Sequence, residues 1–193
     1  SLNPERFFPA LNSQLKDDEV IGELLPNYTR DLNFRLSVRD LKGGFTYQDI
    51  HYQVSKSAGP FQINDEKIEN EYLAGDKLLI QWDVAQTDQA PVNCSEVSLL
   101  LSLDGGLTFN EVLLENTPND GEEEITLPII ATSMARVKVQ SVGNYFYDIS
   151  GDDFSIEIPS LLIHTSTEKL SICSDAIASL DVEIDALVDL ENA

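Results

Sequence analysis

The stretch from Gln81 to Phe109 constrains the fold more than any other part of the chain, because it joins an alternating strand to a compact turn. Apolar residues occupy every second position in its middle, at Val97, Leu99, Leu101 and Leu103. A period of two places those side chains on one face of a β-strand. This stretch therefore predicts the middle of a β-sandwich. It contains no nucleophile beside a base and no cluster of metal ligands, so it predicts no chemistry.

Residues 60 to 158 contain further strand patterns at the spacing of a two-sheet sandwich. Seven short strands are predicted: Phe61 to Ile63, Lys77 to Val84, Glu96 to Leu103, Phe109 to Leu114, Glu123 to Leu127, Ala135 to Val142, and Phe154 to Ile158. This number of strands in about 100 residues is typical of immunoglobulin-like or fibronectin-like sandwiches. We expect Trp82 to lie in the core.

The part before Gly59-Pro60 predicts an irregular connection followed by a hairpin. Residues 4 to 27 show no periodicity. Apolar residues then alternate in two runs, at Leu32, Phe34, Leu36 and Val38, and at Ile50, Tyr52 and Val54. Gly43 and Gly44 supply the turn between the runs. Two strands are not stable alone, so the hairpin must pack against something else.

After Pro159 the pattern restarts and permits two interpretations. Alternation at Val182, Ile184, Ala186 and Val188 favours a strand. A helix remains an alternative, with apolar residues at helical spacing behind the candidate caps Ser174 and Asp175. We favour the strand, and interpret residues 159–193 as the beginning of another module.

Charge narrows the classes of partner. The chain carries 34 acidic and 12 basic residues, for a formal net charge of -22. Such a charge repels phosphate backbones and anionic headgroups, so we expect no nucleic-acid partner. No apolar run is long enough for a spanning helix, and we expect no membrane insertion. The acidic, lysine-poor composition favours a secreted or extracellular location.

Cysteine content leaves two alternatives open. Cys94 and Cys173 are the two cysteines of the chain and lie far apart in the sequence. They allow one disulfide or two unpaired thiols, and the second is favoured because free cysteine is usually buried. They lack the close spacing of a zinc knuckle.

The eight residues from Ser102 match the pattern S-x-D-x-G-x-T-[WF], which is known as the Asp box of sialidases and other β-folds. The side chains of Ser102 and Asp104 are expected to hydrogen-bond the turn backbone, and the glycines to take positive φ. We interpret the motif as a structural turn formed by Ser102, Asp104, Gly105, Gly106, Thr108 and Phe109.

Seven separate segments resemble one family. They are RFFPAL at 6–11, TRDLNFRLSVRD at 29–40, AGPF at 58–61, WDVA at 82–85, APVNC at 90–94, TPNDG at 117–121 and VGNYFYDIS at 142–150. Together they resemble the region downstream of the catalytic domain in secreted bacterial reprolysin-like zinc metallopeptidases. The resemblance covers about residues 4 to 158.

This resemblance implies an all-β chain of immunoglobulin/fibronectin-like modules, one complete and flanked by partial modules. Residues 1–59 would be part of a cadherin-like or PKD-like β-module whose first half lies upstream. Residues 60–158 would be the complete sandwich with the Asp-box turn, and residues 159–193 the start of a further module. The implied partner is the upstream catalytic domain of the same chain.

The catalytic signature of that family is missing here. A zincin needs two histidines one helical turn apart with a glutamate between them. His51 and His164 are the only histidines, and no HExxH can be written. We therefore predict no catalytic residue, no zinc site and no enzyme activity for this chain, and solvated positions for both histidines.

Acidic clusters raise the question of calcium. Asp148, Asp152 and Asp153, or Asp40 with Asp49, offer the oxygen ligands that calcium prefers. Neither cluster has the spacing of an EF-hand loop, so solvated carboxylates are the favoured interpretation. We predict no cofactor and leave structural calcium open.

The leading function is a non-catalytic accessory region that serves as spacer, folding support, or binding surface for extracellular protein or matrix. One alternative is a carbohydrate-binding module, for which Tyr145, Phe146 and Tyr147 are the candidate aromatic cluster. Another is an extracellular adhesion repeat. We also expect the apolar face of the first hairpin to be covered by residues 159–193 or by a second copy of the chain.

Overall fold

The computed structural model describes residues 7–16, 21–40, 42–159, 162–165 and 182–185. These residues are mostly β-sheet, with one four-residue helix, α1 (Leu11–Gln14), and one turn of 3-10 helix at Asp65–Lys67. The strands are β1 (Arg30–Arg39), β2 (Phe45–Val54), β3 (Gln62–Ile63), β4 (Glu71–Leu73), β5 (Lys77–Asp83), β6 (Glu96–Ser102), β7 (Glu111–Pro118), β8 (Glu122–Thr126), β9 (Thr132–Ser141), β10 (Tyr147–Ile149), β11 (Phe154–Glu157), β12 (Leu162–Thr165) and β13 (Val182–Asp185).

Two sheets between residues 62 and 157 share one hydrophobic core. The larger sheet has the order β4-β11-β9-β6-β7, with β10 paired to β9, and the smaller has the order β3-β5-β8. All of these pairings are antiparallel except that of β4 with β11, which is parallel. Buried residues from both sheets form a single cluster. We call this two-sheet body the sandwich.

Alternation in the sequence decides which side chains enter that core. In β5, Leu78 and Ile80 are fully buried and Trp82 is 4% exposed, while the side chains between them face outward. Val97, Leu99 and Leu101 of β6 are fully buried as well. Each such aliphatic side chain contributes about 1.5 to 3 kcal/mol through burial.

The first hairpin forms a sheet of its own, which we call the arm (residues 30–54). β1 and β2 pair antiparallel over their whole length, from Arg30 opposite Val54 to Arg39 opposite Phe45. Asp40 closes the connecting turn, since its carboxylate accepts hydrogen bonds from the backbone N–H groups of Lys42 and Gly44 at 2.9 and 2.6 Å. Gly43 has φ +92°, which fits its predicted place in the turn.

Aromatic rings hold the arm against the sandwich. Four rings follow one another edge to face, with centroid separations of 5.4 Å for Phe8 and Phe34, 5.8 Å for Phe34 and Tyr52, and 5.1 Å for Tyr52 and Tyr145. We call Phe8, Phe34, Tyr52 and Tyr145 the aromatic ladder. Phe7 packs instead on Tyr147 of the larger sheet, at 6.0 Å. The Phe7-Phe8 pair therefore contacts the sandwich with one ring and the arm with the next.

Strand bounds differ from the sequence prediction mainly around β7. The strand was expected from Phe109 to Leu114 but begins at Glu111 and continues to Pro118. The pairing of β7 with β6 shifts register, and Asn116 has φ 57°. The strand is therefore irregular, and it continues beyond Leu114, where the apolar run ends. The other six predicted strands occur with ends displaced by no more than three residues.

Two strands of the sandwich were not predicted. They are β4 and β10, each three residues long. Such a length is too short to show alternation, and both exist because a longer neighbour offers a free edge. The arm also differs, because β2 begins at Phe45, before the apolar run that starts at Ile50.

At the end of the chain, β12 and β13 pair antiparallel with each other, from Leu162 opposite Asp185 to Thr165 opposite Val182. Residues 182–185 are a strand, as favoured. The remainder of the helical alternative and Cys173 lie outside the described residues. So does most of the segment that was expected to cover the arm.

Candidate functional site

The predicted structural turn is closed by Ser102 and Asp104. The fully buried Ser102 donates its hydroxyl to Asp104 Oδ1 at 2.7 Å and accepts the N–H groups of Asp104 at 3.2 Å and Gly106 at 2.8 Å. The carboxylate of Asp104 accepts the backbone N–H of Thr108 at 2.8 Å and its hydroxyl at 2.7 Å. Every polar side-chain atom of Ser102 and Asp104 therefore makes a hydrogen bond within the turn.

The glycines of the turn lie where a side chain would be strained. Gly105 and Gly106 have φ of +72° and +88°. The N–H of Gly105 donates to the carbonyl of Met134 at 2.9 Å, which ties the turn to β9. A Cβ on Gly106 would lie 2.5 Å from Leu15 Cδ2, so residues 7–16 pack over the turn.

Electrostatics stabilises the ionised form of Asp104. Burial raises the pKa of its carboxyl, but hydrogen bonds from Ser102 and Thr108 outweigh that effect, so the pKa is lowered from its ordinary value. A group whose pKa is lower in the folded state stabilises the fold above the unfolded pKa, which is about 3.9 for Asp. That contribution is lost as the pH falls through the lower folded pKa.

Replacing Asp104 with alanine should lower the free energy of unfolding by about 1 to 2 kcal/mol at neutral pH, because three turn hydrogen bonds disappear. Denaturant titration measures the loss, and Asp152→Ala, an exposed aspartate with the same charge change, is the matched control. The difference between wild type and Asp104→Ala should shrink below about pH 4. Equal stability of the two variants at neutral pH would contradict the structural interpretation of the turn.

Phe109, the last residue of the predicted structural turn, lies against a buried lysine. Lys138 of β9 is only 8% exposed, and its Nζ lies 4.3 Å from the ring centroid of Tyr147, 5.3 Å from that of Phe109 and 5.9 Å from that of Phe7. Alternation with Val137 and Val139 would place this lysine on the outward face of the strand. The rings of Tyr147, Phe109 and Phe7 lie around its ammonium instead, and these cation-π contacts offset part of the cost of its desolvation.

Trp82 belongs to a buried polar network that sequence reasoning missed. Its Nε1 donates to Asn119 Oδ1 at 2.9 Å. The Nδ2 of Asn119 donates to Thr87 Oγ1 at 2.9 Å and to the carbonyl of Cys94 at 3.0 Å. A buried indole N–H needs a hydrogen-bond acceptor, so the sequence indicated that Trp82 would have one. No residue pattern near Trp82 identified Asn119 as that acceptor.

Cys94 itself is a buried, free thiol. Its Sγ donates toward the carbonyls of Glu96 at 3.2 Å and Val142 at 3.8 Å. Burial raises the pKa of this thiol, which keeps it protonated and poorly nucleophilic. Its position is that of a small core residue.

The two histidines lie on different strands. His51 is exposed on β2, and its Nδ1 is hydrogen-bonded to Asn33 Oδ1 of β1. His164 lies in β12, whose side chains are outside the described part of the chain. Among the described residues, no three His, Cys, Asp or Glu side chains group as metal ligands.

Most carboxylates of the two acidic clusters bind different donors. Asp148 Oδ2 accepts the N–H of Ile63 at 2.7 Å, and burial raises the pKa of this carboxyl. Asp153 pairs with Arg136 at 2.5 Å. In the arm, Asp40 binds its own turn, while Asp49 receives Arg35 Nε and Nη2 at 2.6 and 2.9 Å. Neither of these two acidic clusters, for which calcium was left open, forms a group of metal ligands among the described residues.

The candidate aromatic cluster for carbohydrate binding separates in three directions. Tyr145 is 78% exposed and packs on Tyr52 of the arm. Phe146 packs on Phe61 at 5.0 Å, toward the core, and Tyr147 packs on Phe7 and Lys138. The three rings therefore do not form the flat row that would stack on a sugar chain.

A shallow depression of about 440 Å³ lies at the edge of β3 and β5. Its lining is mostly polar and includes Gln62, Asn64, Gln81 and Asp83. Gln81 already donates to Glu122 at 2.8 Å. No titratable pair with matched acid and base roles faces this depression.

Comparison with known proteins does not assign the chain to a family. No family model matches the chain, and no curated protein matches its sequence. No helix among the described residues is long and apolar enough to span a membrane. The contacts within the chain therefore carry the functional argument.

Proposed function

We propose that this chain is a non-catalytic accessory region of a secreted bacterial reprolysin-like zinc metallopeptidase, in which it acts as a spacer and folding support with a surface for extracellular protein or matrix. Its modules are an immunoglobulin/fibronectin-like sandwich flanked by partial modules. The facing sheets β3-β5-β8 and β4-β11-β9-β6-β7 support that assignment, because a three-stranded sheet packed on a larger one is typical of such modules.

The observation that carries the proposal is the way the arm is fixed to the sandwich. The aromatic ladder joins β1, β2 and the loop before β10 through rings 5.1 to 5.8 Å apart. The backbone contributes a further bond, since the N–H of Gly59 donates to the carbonyl of Ala85 at 2.8 Å. A spacer needs this property, because it transmits position only if its modules do not hinge freely.

Several described side chains that could act as nucleophiles, acids or bases have structural contacts. Ser102 and Asp104 close a turn, Asp148 and Asp153 bind Ile63 and Arg136, and Cys94 is buried. Each of these groups already has a partner within the fold. This use of polar side chains supports a structural role over a catalytic one.

Removing the rings that join the modules should loosen the arm. In the double variant with Phe8→Ala and Tyr145→Ala, we expect trypsin to cleave after Lys56, between arm and sandwich, about tenfold faster than in the wild type, because each aromatic contact contributes roughly 0.5 to 1.5 kcal/mol. Phe45→Ala, an exposed arm residue outside the aromatic ladder, is the matched control. Unchanged cleavage in the double variant would argue against a rigid spacer.

Two measurements on the purified wild-type protein distinguish an accessory role from an enzymatic one. We expect no chelator-sensitive hydrolysis of peptides and no stoichiometric zinc by elemental analysis after purification. Either activity or bound zinc would overturn the non-catalytic assignment while leaving the result for the aromatic ladder intact.

A further inference from the structure

β1 presents a long strand edge without a partner. Among the described residues, β1 pairs with β2 alone, so the opposite edge of a ten-residue strand is unpaired. Near its end Leu36 and Val38 are 57% and 54% exposed. Unpaired edges with exposed apolar side chains recruit further strands.

The residues of β1 are complementary to themselves in reverse. An antiparallel pairing of two β1 strands about a two-fold axis at Arg35 places five kinds of pair opposite each other within the strand: Asp31 with Arg39, Leu32 with Val38, Asn33 with Ser37, Phe34 with Leu36, and Arg35 with Arg35. Opposite charges meet, apolar residues meet apolar residues, and amide meets hydroxyl. Directly opposed side chains of this kind stabilise sheets.

The like pair at the axis is already neutralised. Each Arg35 is bound through two nitrogens by Asp49 of its own arm, at 2.6 and 2.9 Å. The guanidinium also lies 4.2 Å from the ring centroid of Tyr47. Two Arg35 side chains therefore meet at the axis as two neutral ion pairs.

The charges beside the axis are available. Asp31 and Arg39 make no ion pair among the described residues, and Arg39 only stacks on Phe45, with its guanidinium 5.2 Å from the ring centroid. The arm is also less acidic than the chain as a whole, with Arg30, Arg35, Arg39 and Lys42 against Asp31, Asp40 and Asp49. Two acidic copies would thus meet at a segment that carries no net negative charge.

For comparison, the same operation on β2 about Asp49 places Asp49 opposite Asp49 and Phe45 opposite Gln53, so it brings no opposite charges together.

We propose that two copies of this chain associate through β1, forming a four-stranded antiparallel sheet of order β2-β1-β1-β2. Leu36 and Val38 of each copy are then covered by Phe34 and Leu32 of the other. The interface is isologous, so each contact away from the axis occurs twice.

Charge reversal at Asp31 and Arg39 tests this arrangement. Light scattering over a concentration series should give twice the chain mass of 21.4 kDa for the wild type. Arg39→Asp alone places Asp opposite Asp31, and Asp31→Arg alone places Arg opposite Arg39. Each single variant should associate at least about tenfold more weakly, since two favourable pairs become unfavourable. Lys77→Asp, which changes the net charge as Arg39→Asp does, should leave association unchanged.

An equimolar mixture of the two single variants decides the geometry. The Arg39→Asp chain has aspartate at positions 31 and 39, and the Asp31→Arg chain has arginine at both, so opposite charges face each other in a mixed dimer. The mixture should therefore recover the two-chain mass that neither variant reaches alone. Circular dichroism of each variant checks that the fold persists. A monomeric wild type, or a mixture that stays monomeric, would overturn the proposal. A dimer insensitive to Arg39→Asp would place the interface elsewhere and overturn it equally.

Discussion

Replacing Leu78 with alanine should lower the free energy of unfolding by about 2 to 5 kcal/mol, whereas the same replacement at the adjacent Leu79 should cost less than about 1 kcal/mol. Leu78 is fully buried between the two sheets, and its truncation leaves a cavity that the surrounding strands only partly fill. Leu79 is 40% exposed on the outer face of β5. Denaturant titration of both variants measures the difference.

The comparison tests register directly, because the two residues have the same chemistry and are neighbours in the chain. A shift of β5 by one residue would exchange their roles. Equal losses at the two positions, or a larger loss for Leu79→Ala, would contradict the packing of β5 against the larger sheet.

Asn119→Ala should lower the free energy of unfolding by about 2 to 4 kcal/mol, although it removes little apolar area. The substitution leaves the buried Nε1 of Trp82 without its acceptor and the carbonyl of Cys94 without its donor. A buried polar group without a partner costs about 1 to 3 kcal/mol. The effect should therefore exceed that of an ordinary surface asparagine.

Asn110→Ala is the matched control, because Asn110 is exposed and its amide donates only to Thr108 Oγ1 at 3.3 Å. Trp82 is the one tryptophan of the chain, so its fluorescence reports on the altered site without interference. We expect a changed emission maximum for Asn119→Ala and none for Asn110→Ala. Wild-type stability of Asn119→Ala would show that the network does not hold the indole.

Local patterns predicted the parts of the fold that depend on neighbours in the sequence. The alternation in β5 and β6 indicated both the strands and their buried faces, since successive side chains of a strand point to opposite sides. The turn residues Ser102 and Asp104 were recognised because their partners lie within a few positions. In these elements the side chains that interact are close in the sequence.

Long-range contacts were not predictable in the same way. Asn119 reaches Trp82 across 37 positions, and β4 pairs with β11 through a three-residue strand without any periodic signal. Alternation with Val137 and Val139 would by itself place Lys138 on the outward face of β9. Its burial depends on Phe7 and Tyr147, which come from distant segments.

The sequence by itself determined that this chain forms β-strands, where most of them lie, and which residues close the turn, because backbone pleating and turn hydrogen bonds act over a few residues. It also determined the reversed complementarity of β1 about Arg35. Only the tertiary structure decided that one edge of β1 has no partner among the described residues, that Asn119 accepts the indole N–H of Trp82, and that Phe7 and Phe8 contact different bodies. Those outcomes depend on which distant segments meet when the sheets pack, and no local pattern encodes that choice.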